Sequence, residues 1–579
     1  MNAATSSSPP QFAAHPDSAS AGAVAAMAGP RIAIPLLLVL GLILFVANLG
    51  GYPLYTKGEP REAVTIFDIV HGGGWILPMR AGVEIPSKPL MMHWIAAVLS
   101  LAAGGVNEWT VRLPSALLAI AGILASYLYV RRLFDERSAL LAALMLATSV
   151  QYLQAGSGAR VDMTLTFFME IAFFEFILIA EGLTRRRIPL YLAIAAAVLS
   201  KGPVGLILPA ATALIWIAIE RRWALLRALR IAPGAAIVAI LAGGWYLAAA
   251  AVGGRQFIDK QILAENVLRF FGNRNSHQGH AHPFYYVELA LLAGFMPWTI
   301  LLPAPAVRLI RARDRLGPRL RYLIVWFVTV LVFYNVARSK RGVYLLALYP
   351  ALTSILAVSL TGRFSEREGS ARWPSAFAAL GGLALAGAGI AGLAGLVSIR
   401  ADQALLRGLL ARADIIAPGL VTAIRDAAAS HLILAILIPL ATGALGAWLV
   451  AMRPAVETTV SLIAAGFAGI TLAANLFVVP AIARTLTLEQ FTGEAMRIVD
   501  GSSVGYLNAL NYDVAFYSRR NIPIVAIGDP NLPEYLLGWR AGYESIPDAE
   551  RKRFTAVLVS GPTDLDNGGG MVLLRRALR

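Results

Sequence analysis

The chain has 579 residues, no cysteine, 58% hydrophobic and only 15% charged residues, a mean hydropathy of +0.66 and a formal net charge of +16. A soluble domain carries about 25% charged residues, so this composition excludes a soluble or disordered protein, and the lack of cysteine excludes a disulfide scaffold, thiolate metal sites and a cysteine nucleophile. The excess arginines stand in short clusters between apolar runs, as in the cytoplasmic loops of a membrane protein, so membrane lipid rather than nucleic acid is the expected partner.

In chain order, residues 1–30 are Ala, Ser, Pro and Gly with little charge and read as a disordered cytoplasmic tail. Only Arg31 precedes the apolar run 32–49, so that run is a retained membrane helix rather than a signal peptide. Further runs fall near 113–130, 138–152, 163–182, 188–200, 203–219, 230–250, 284–304, 322–337, 343–361, 374–397, 431–451 and 458–482, which makes about thirteen spans. With the N-terminus inside, the clusters Arg131/Arg132, Arg185–Arg187, Arg221/Arg222/Arg227, Arg308–Arg321 and Arg363–Arg372 all fall on the cytoplasmic side. Residues 89–104 are apolar but only about 16 long, short for a span. Counting them would move every later arginine cluster outside, so they predict a helix lying on the outer face, as does 61–71. Loop 50–112 is then external, together with 151–162, Lys201, loop 252–283, the turn 338–342, loop 398–430 and the tail 484–579. In the tail, the runs Ile522–Ile527, Ala556–Ser560 and Val572–Leu574 between Gly, Pro, Asn and Asp predict a small α/β domain. The expected architecture is an all-α polytopic membrane domain over 31–483 with a small α/β domain over 484–579.

Charge on the outer face is informative, because short outer loops ordinarily carry few cations. The first loop has Glu59, Arg61, Glu62 and Lys88; Asp162 opens a span in Arg160-Val-Asp-Met-Thr; Lys201 lies between two spans. Loop 252–283 carries Glu265, Arg269, Arg274, His277, His280 and His282, and the next turn carries Arg338, Lys340, Arg341 and Tyr344. Ionisable groups gathered at one membrane depth mark a site. Carboxylates among cations suit an anionic lipid head group, the cations holding phosphate and a carboxylate handling a hydroxyl or amine. Structural readings compete: Lys88, Asp162 and Lys201 as paired or snorkelling helix ends, Arg338, Lys340 and Arg341 on ordinary lipid phosphates, His71 and His93 as interfacial side chains, Phe270-Phe271 and Phe284–Tyr286 as an interface belt. The spacing of His277, His280 and His282 permits a divalent metal, though none is favoured. A transporter would place charges at the bilayer midplane within an inverted repeat, a pattern the sequence does not show; a scaffold whose tail binds partners is the other rival.

These residues resemble the GT-C glycosyltransferases that use polyprenyl-phosphate sugars, above all the lipid A 4-amino-4-deoxy-L-arabinose transferases and the protein O-mannosyltransferases. The family's first loop reads like D-E-x-R-Y-A-E, then G-D-W-I-x-P, then E-K-P and an aromatic. Here it is Gly58-Glu59-Pro60-Arg61-Glu62-Ala63, Gly73-Gly74-Trp75-Ile76-Leu77-Pro78, Ser87-Lys88-Pro89 and Trp94. Arg112-Leu113-Pro114, the Asp162 string, Ser200-Lys201-Gly202-Pro203, Glu265 through Phe270, His280 with Pro283–Tyr286, and Ser339-Lys340 with Tyr344 follow in order. The resemblance implies a GT-C fold and transfer of a sugar from an undecaprenyl-phosphate carrier, at the periplasmic face of a bacterial inner membrane, to lipid A or another glycolipid, or else to a protein or polysaccharide hydroxyl. It implies that Lys88, Lys201, Arg269, Lys340 and Tyr344 hold the carrier phosphate, that Glu59 and Asp162 lie near the reacting carbon with Arg61 orienting Glu59, and that no metal cofactor is required. Glu62, Glu84, Glu265, His280, His282, Arg338 and Arg341 are further candidates. Two positions depart: the family's first-loop Asp is Gly58, and the Glu before the lysine is Ser87, with Glu84 nearby but out of register.

Overall fold

The computed structural model describes residues 27–56, 58–268, 282–283, 285–311, 313–361, 373–401, 426–561 and 570–577. By length and composition eight of its helices can cross a membrane, or ten if each of two bent pairs counts as one span. The difference from the expected number lies in Pro30–Val46, Ile188–Lys201 and Val204–Glu220, apolar helices shorter than the roughly 20 residues that a 30 Å hydrocarbon core asks for. The fourth short apolar helix is Met91–Ala102, where the sequence predicts a helix lying outside the spans. The expected tail is ordered at its end: Tyr127 Oη donates to the Ala28 carbonyl at 2.7 Å, and Ala28 is buried.

Five helices frame the site, α1 (Glu59–Val70), α2 (Met91–Ala102), α3 (Glu108–Leu133), α4 (Val161–Ala180) and α5 (Ile188–Lys201), and α6 (Ile231–Val238) packs against α5. Helix α3 starts on a capping box, in which Asn107 Oδ1 accepts from the Thr110 N–H and Thr110 Oγ1 from the Asn107 N–H, both at 3.0 Å. This satisfies two donors that a helix start leaves open. Helix α4 has Asp162 in its first turn and ends at Glu181, about 30 Å away at 1.5 Å per residue. Glu181 pairs with Arg222 at 2.9 Å and Arg319 at 3.0 Å, so two of the arginine clusters lie at the end of the bundle opposite Asp162. Between these ends the bundle is apolar and aromatic: Phe173 stacks on Trp326 at 4.2 Å, and Phe176 meets Trp216 and Tyr322.

Further along, α7 (Trp373–Ala401) and α8 (Leu432–Met452) cross at glycine. A methyl group on Gly389 would lie 2.6 Å from both the Gly443 backbone and the Pro439 carbonyl, and one on Gly446 would overlap the Ala386 backbone. Small residues allow such close approach between helices surrounded by lipid.

The tail forms a five-stranded sheet, β1 (Val504–Leu507), β2 (Ile524–Val525), β3 (Tyr535–Trp539), β4 (Phe554–Val559) and β5 (Met571–Arg576), in the order β2-β1-β3-β5-β4. Strand β1 is parallel to β2 and β3, while β5 is antiparallel to β3 and β4. The expected β-branched runs fall on β2, β4 and β5; β1 (VGYL) and β3 (YLLGW) carry almost no β-branched residue and were not anticipated. Helix α9 (Tyr512–Ser518) is capped by Asn511, whose Oδ1 accepts from the Val514 N–H at 3.0 Å. Val514, Phe516, Leu537 and Leu573 share one core with Ala63, Ile66 and Ala97 of α1 and α2, which seats the tail on the first loop.

Gly446→Val is expected to force α7 and α8 apart at a cost of about 1–3 kcal/mol, the usual scale of overpacking. A lowered thermal midpoint of the detergent-solubilised protein would show it, and an unchanged midpoint would mean that the crossing does not bear on stability.

Candidate functional site

A cavity of about 580 Å³ opens where α1 and α4 begin, and residues of the tail form one of its walls. Five cations line it, Arg61, Arg80, Arg160, Lys260 and Arg341, with five carboxylates, Glu62, Glu84, Asp162, Glu265 and Asp513. Sequence positions as distant as Arg61, Asp162, Arg341 and Asp513 therefore meet in one place. Gly58 also lines it, and a Cβ there would stand 3.5 Å from Arg160 Nη1.

Glu59 is arranged differently from the expectation. It is buried and held by Arg112, not Arg61: Arg112 Nε donates to Oε1 at 2.8 Å and Nη2 to Oε2 at 3.3 Å. The Ala159 N–H adds a bond to Oε1 at 3.2 Å. The remaining Arg112 donors reach the carbonyls of Leu49 and Tyr52, each at 2.9 Å, and of Pro53 at 3.0 Å. Burial pushes the Glu59 carboxyl up, but Arg112, Arg160 and the Ala159 N–H together bring it below its ordinary value. Glu59 is thus a fixed anion that lines an adjoining cavity of about 490 Å³ with Tyr55 and Arg160, rather than the cavity described above.

Arg61 binds its neighbour instead: Nη2 donates to Glu62 Oε1 at 2.7 Å. His93, expected at the interface, is wholly buried, and its Nε2 hydrogen-bonds Glu62 Oε2 at 2.7 Å. Burial would raise the Glu62 carboxyl; Arg61, His93 and Arg80 outweigh it and hold the group well below its ordinary value of 4.5. Arg80 is fully buried, with Nε donating to Thr65 Oγ1 at 2.8 Å and Glu62 Oε2 3.7 Å away. Among the described residues both Arg80 Nη atoms have no hydrogen-bond partner. Nη1 lies 3.9 Å from Glu84 Oε2, so the guanidinium is held between two carboxylates and places fixed positive charge directly behind the cavity wall.

Lys88 Nζ donates to Glu265 Oε2 at 2.7 Å, and Lys201 pairs with Asp162 while lying 3.9 Å above the Tyr344 ring. Lys88, Lys201 and Tyr344 are thus placed directly behind cavity-lining groups. Lys260 Nζ donates to Glu84 Oε1 at 3.2 Å, and Tyr512 of the tail donates to the same carboxylate. Lys340, expected on the phosphate, is buried with Nζ donating to the Ala337 carbonyl at 2.8 Å, while its neighbour Arg341 lines the cavity. Arg338 is exposed, and His282 stacks on Tyr286 at 3.9 Å; neither lines the cavity. Arg269, Arg274, His277 and His280 lie outside the described residues. Among the described residues no three His, Asp or Glu side chains gather as a metal site.

Sequence reasoning missed Arg80, Arg160 as a lining residue, and the tail's Tyr512, Asp513 and Trp539. The signal for Arg80 was present, since it is one more cation in the first loop, 50–112, whose charges the sequence singles out. Nothing in the tail's sequence marks Tyr512 or Trp539 as cavity residues, because their placement depends on how the sheet docks.

Arg112→Ala strands a buried carboxylate and three carbonyls, which is expected to cost about 3–5 kcal/mol, read as a lower unfolding midpoint that Glu59→Gln in the same chain partly restores. For Glu62 the sign follows from its lowered value. The stabilisation is complete above the ordinary 4.5 and is lost as pH falls through the lower folded value. Glu62→Gln is expected to be less stable at pH 7 and to show a shallower loss of stability below pH 4.5; an equally steep acid limb would show that Glu62 is not the group responsible.

Residues 87–246 match the family model described as dolichyl-phosphate-mannose-protein mannosyltransferase. The undecaprenyl phosphate-alpha-4-amino-4-deoxy-L-arabinose arabinosyl transferase of Pectobacterium carotovorum subsp. carotovorum (strain PC1) is 28% identical over 332 residues, covering 56% of this chain and 58% of that protein. An uncharacterised protein of Aquifex aeolicus is 28% identical over 327 residues, covering 56% of this chain and 62% of its own length. The alignments thus span about three-fifths of these curated relatives. The crystal structure of ArnT from Cupriavidus metallidurans bound to undecaprenyl phosphate superimposes with a TM-score of 0.70 at 20% identity, over 93% of this chain and 97% of that one. The chain therefore has the ArnT fold, and it resembles the GT-C glycosyltransferases in sequence as well as in architecture.

Proposed function

We propose that the protein is a multi-pass glycosyltransferase of a bacterial inner membrane that moves a sugar from an undecaprenyl-phosphate carrier to an acceptor at the periplasmic face. In this reading residues 1–30 form a cytoplasmic tail, 31–483 the catalytic membrane domain and 484–579 a periplasmic domain. The observation that carries it is the cavity where the membrane helices begin, in which cations from distant parts of the chain, Arg61, Arg80, Arg160, Lys260 and Arg341, meet in one place. A phosphate leaving group gathers charge as the glycosidic bond breaks, and fixed cations stabilise that charge more than they stabilise the bound donor. Arg80 and Arg341 from the cavity wall, with Lys88, Lys201 and Tyr344 behind it, are the groups that would hold the phosphate, joined by Arg269. Likeness to the Pectobacterium enzyme and to an ArnT solved with undecaprenyl phosphate supports the carrier.

The carboxylates bear on the acceptor. Glu62, Glu84, Asp162 and Glu265 all line the cavity, and each is bound to a cation. At the position of the family's first-loop acid stands Gly58. A paired carboxylate is a poor base, whereas a phosphate acceptor arrives already ionised and needs none. We therefore favour a phosphorylated glycolipid such as lipid A over a protein or polysaccharide hydroxyl, with Asp162 positioning the acceptor and Glu59 fixing the loop that shapes the site.

In liposomes containing radiolabelled undecaprenyl-phosphate sugar and lipid A, Lys201→Ala and Arg80→Ala are each expected to slow transfer about 10²–10³-fold, the scale of losing one preorganised charge-stabilising group. Removing the phosphates from the lipid A should abolish transfer. Full activity of both variants would overturn the carrier site, and undiminished transfer to the dephosphorylated lipid would overturn the phosphate acceptor.

A further inference from the structure

A third cavity, of about 530 Å³, lies at the other end of the bundle and is lined by Arg185, Arg186, Arg187 and Arg230 together with Ile188, Tyr191, Gly234 and Ile237. It is distinct from the site above: α5 has Arg187 at its start and Lys201 at its end, roughly 20 Å apart at 1.5 Å per residue. No carboxylate lines it among the described residues, so four arginines share one space without a carboxylate beside them, Arg187 being partly engaged through Nη1 on the Arg185 carbonyl.

The arrangement is built rather than a by-product of arginines scattered along a membrane edge. Arg187 Nε donates to the Ala228 carbonyl at 3.0 Å and Tyr191 Oη to the Leu229 carbonyl at 2.9 Å. These two bonds from α5 fix the segment just before Arg230. Arg230 itself adopts a left-handed backbone (φ 53°), a conformation that residues with a side chain seldom take and that neighbours must hold in place. Gly234 closes the contact, since a Cβ there would fall within the Tyr191 ring. The starts of α5 and α6 are thereby held side by side, with the three consecutive arginines facing Arg230. One wall is apolar and continues onto α6, where Ile231 and Ile240 beyond its end are exposed on a membrane-span candidate.

We infer that this cavity binds the phosphodiester head group of an anionic phospholipid, with an acyl chain lying along Ile237 and the exposed face of α6. Basic pockets between membrane helices select such head groups by charge-assisted bonds, and arginine forks match phosphate oxygens in pairs. The continuous apolar wall distinguishes a lipid from a free phosphate, which would gain nothing from it.

The test is native mass spectrometry of the intact, detergent-solubilised chain titrated with phosphatidylglycerol, phosphatidylcholine or inorganic phosphate. Phosphatidylglycerol should be retained in preference to the other two. Neutralising the pocket (Arg185→Gln, Arg186→Gln and Arg230→Gln together) should weaken its retention about 100-fold. Filling the cavity without changing charge (Ile237→Trp) should weaken it at least severalfold, while Arg137→Gln, Arg311→Gln and Arg315→Gln together, the same charge loss at exposed arginines that do not line the cavity, should change it less than twofold. Equal losses in the two charge variants, unaltered retention in Ile237→Trp, or inorganic phosphate held as tightly as the lipid would each overturn the inference. Because the readout is lipid retention and not sugar transfer, it stands or falls independently of the proposed activity.

Discussion

Arg112 has five N–H donors, and the structure gives each one an acceptor: the two oxygens of Glu59 and the carbonyls of Leu49, Tyr52 and Pro53. A single side chain on α3 thereby fixes the exit of the chain from its first helix, the start of α1 and, through Glu59 and the Ala159 N–H, the segment leading into α4. All of these bonds are buried, where an unmet donor or acceptor is costly. The loop consequently has one arrangement, and the charged residues that follow, Arg61, Glu62 and Arg80, inherit their positions from it. Glu59 is best understood as the counter-ion that lets Arg112 be buried, a role that leaves the reacting groups to other residues.

The cavity itself is a lattice of ion pairs. Each of its carboxylates from the membrane domain touches a cation from a different part of the chain or of the same helix: Glu62 with Arg61, Glu84 with Lys260, Glu265 with Lys88, Asp162 with Lys201. Pairing lowers the desolvation cost of so much charge near a membrane. It also means that an anionic ligand competes with protein carboxylates for the same cations. Arg80 escapes that competition in part, because Thr65 takes only Nε and its Nη atoms lie 3.7 Å or more from the nearest carboxylate oxygens. Its Nη atoms are closed off from solvent, so Arg80 acts on an oxyanion in the cavity through its charge and would bond it only after the wall shifts.

What could be read from the sequence follows the range of the forces involved. Helices declare themselves through apolar runs, and segment 89–104 through a run too short to span a membrane; α2 lies within it. The strands with β-branched residues were legible, whereas β1 and β3 were not, because their placement is set by pairing with β5 and with each other. At the site, residue types were legible but partners were not. Arg61 stands two residues from Glu59 yet bonds Glu62, and Lys340 turns back to the Ala337 carbonyl while Arg341 faces the cavity. His93 reads as an interfacial side chain by position, and its burial follows from the carboxylate beside it. Side-chain direction on a short turn depends on contacts dozens to hundreds of residues away, which local pattern does not encode.

The tail shows the same dependence at the scale of a domain. Its sheet has its own small core of Leu507, Leu536, Val572 and Leu574 on one face, while the opposite face merges with α1 and α2 through Tyr506, Leu537 and Leu573. A sheet that buries both faces needs a partner for the second, and here the partner is the first loop, which frames the cavity. Docking brings Asn511 to the cavity wall, and the cap it forms on α9 orients Tyr512 toward Glu84 and places Asp513 and Trp539 at the rim. The apolar contact thus supplies the energy and the capped helix the direction, so that a domain lacking a recognisable site of its own completes the site of another. The tail and the first loop are therefore mechanically one unit: a change that loosens Val514 or Phe516 from α1 would alter the cavity as directly as a change in its charged lining.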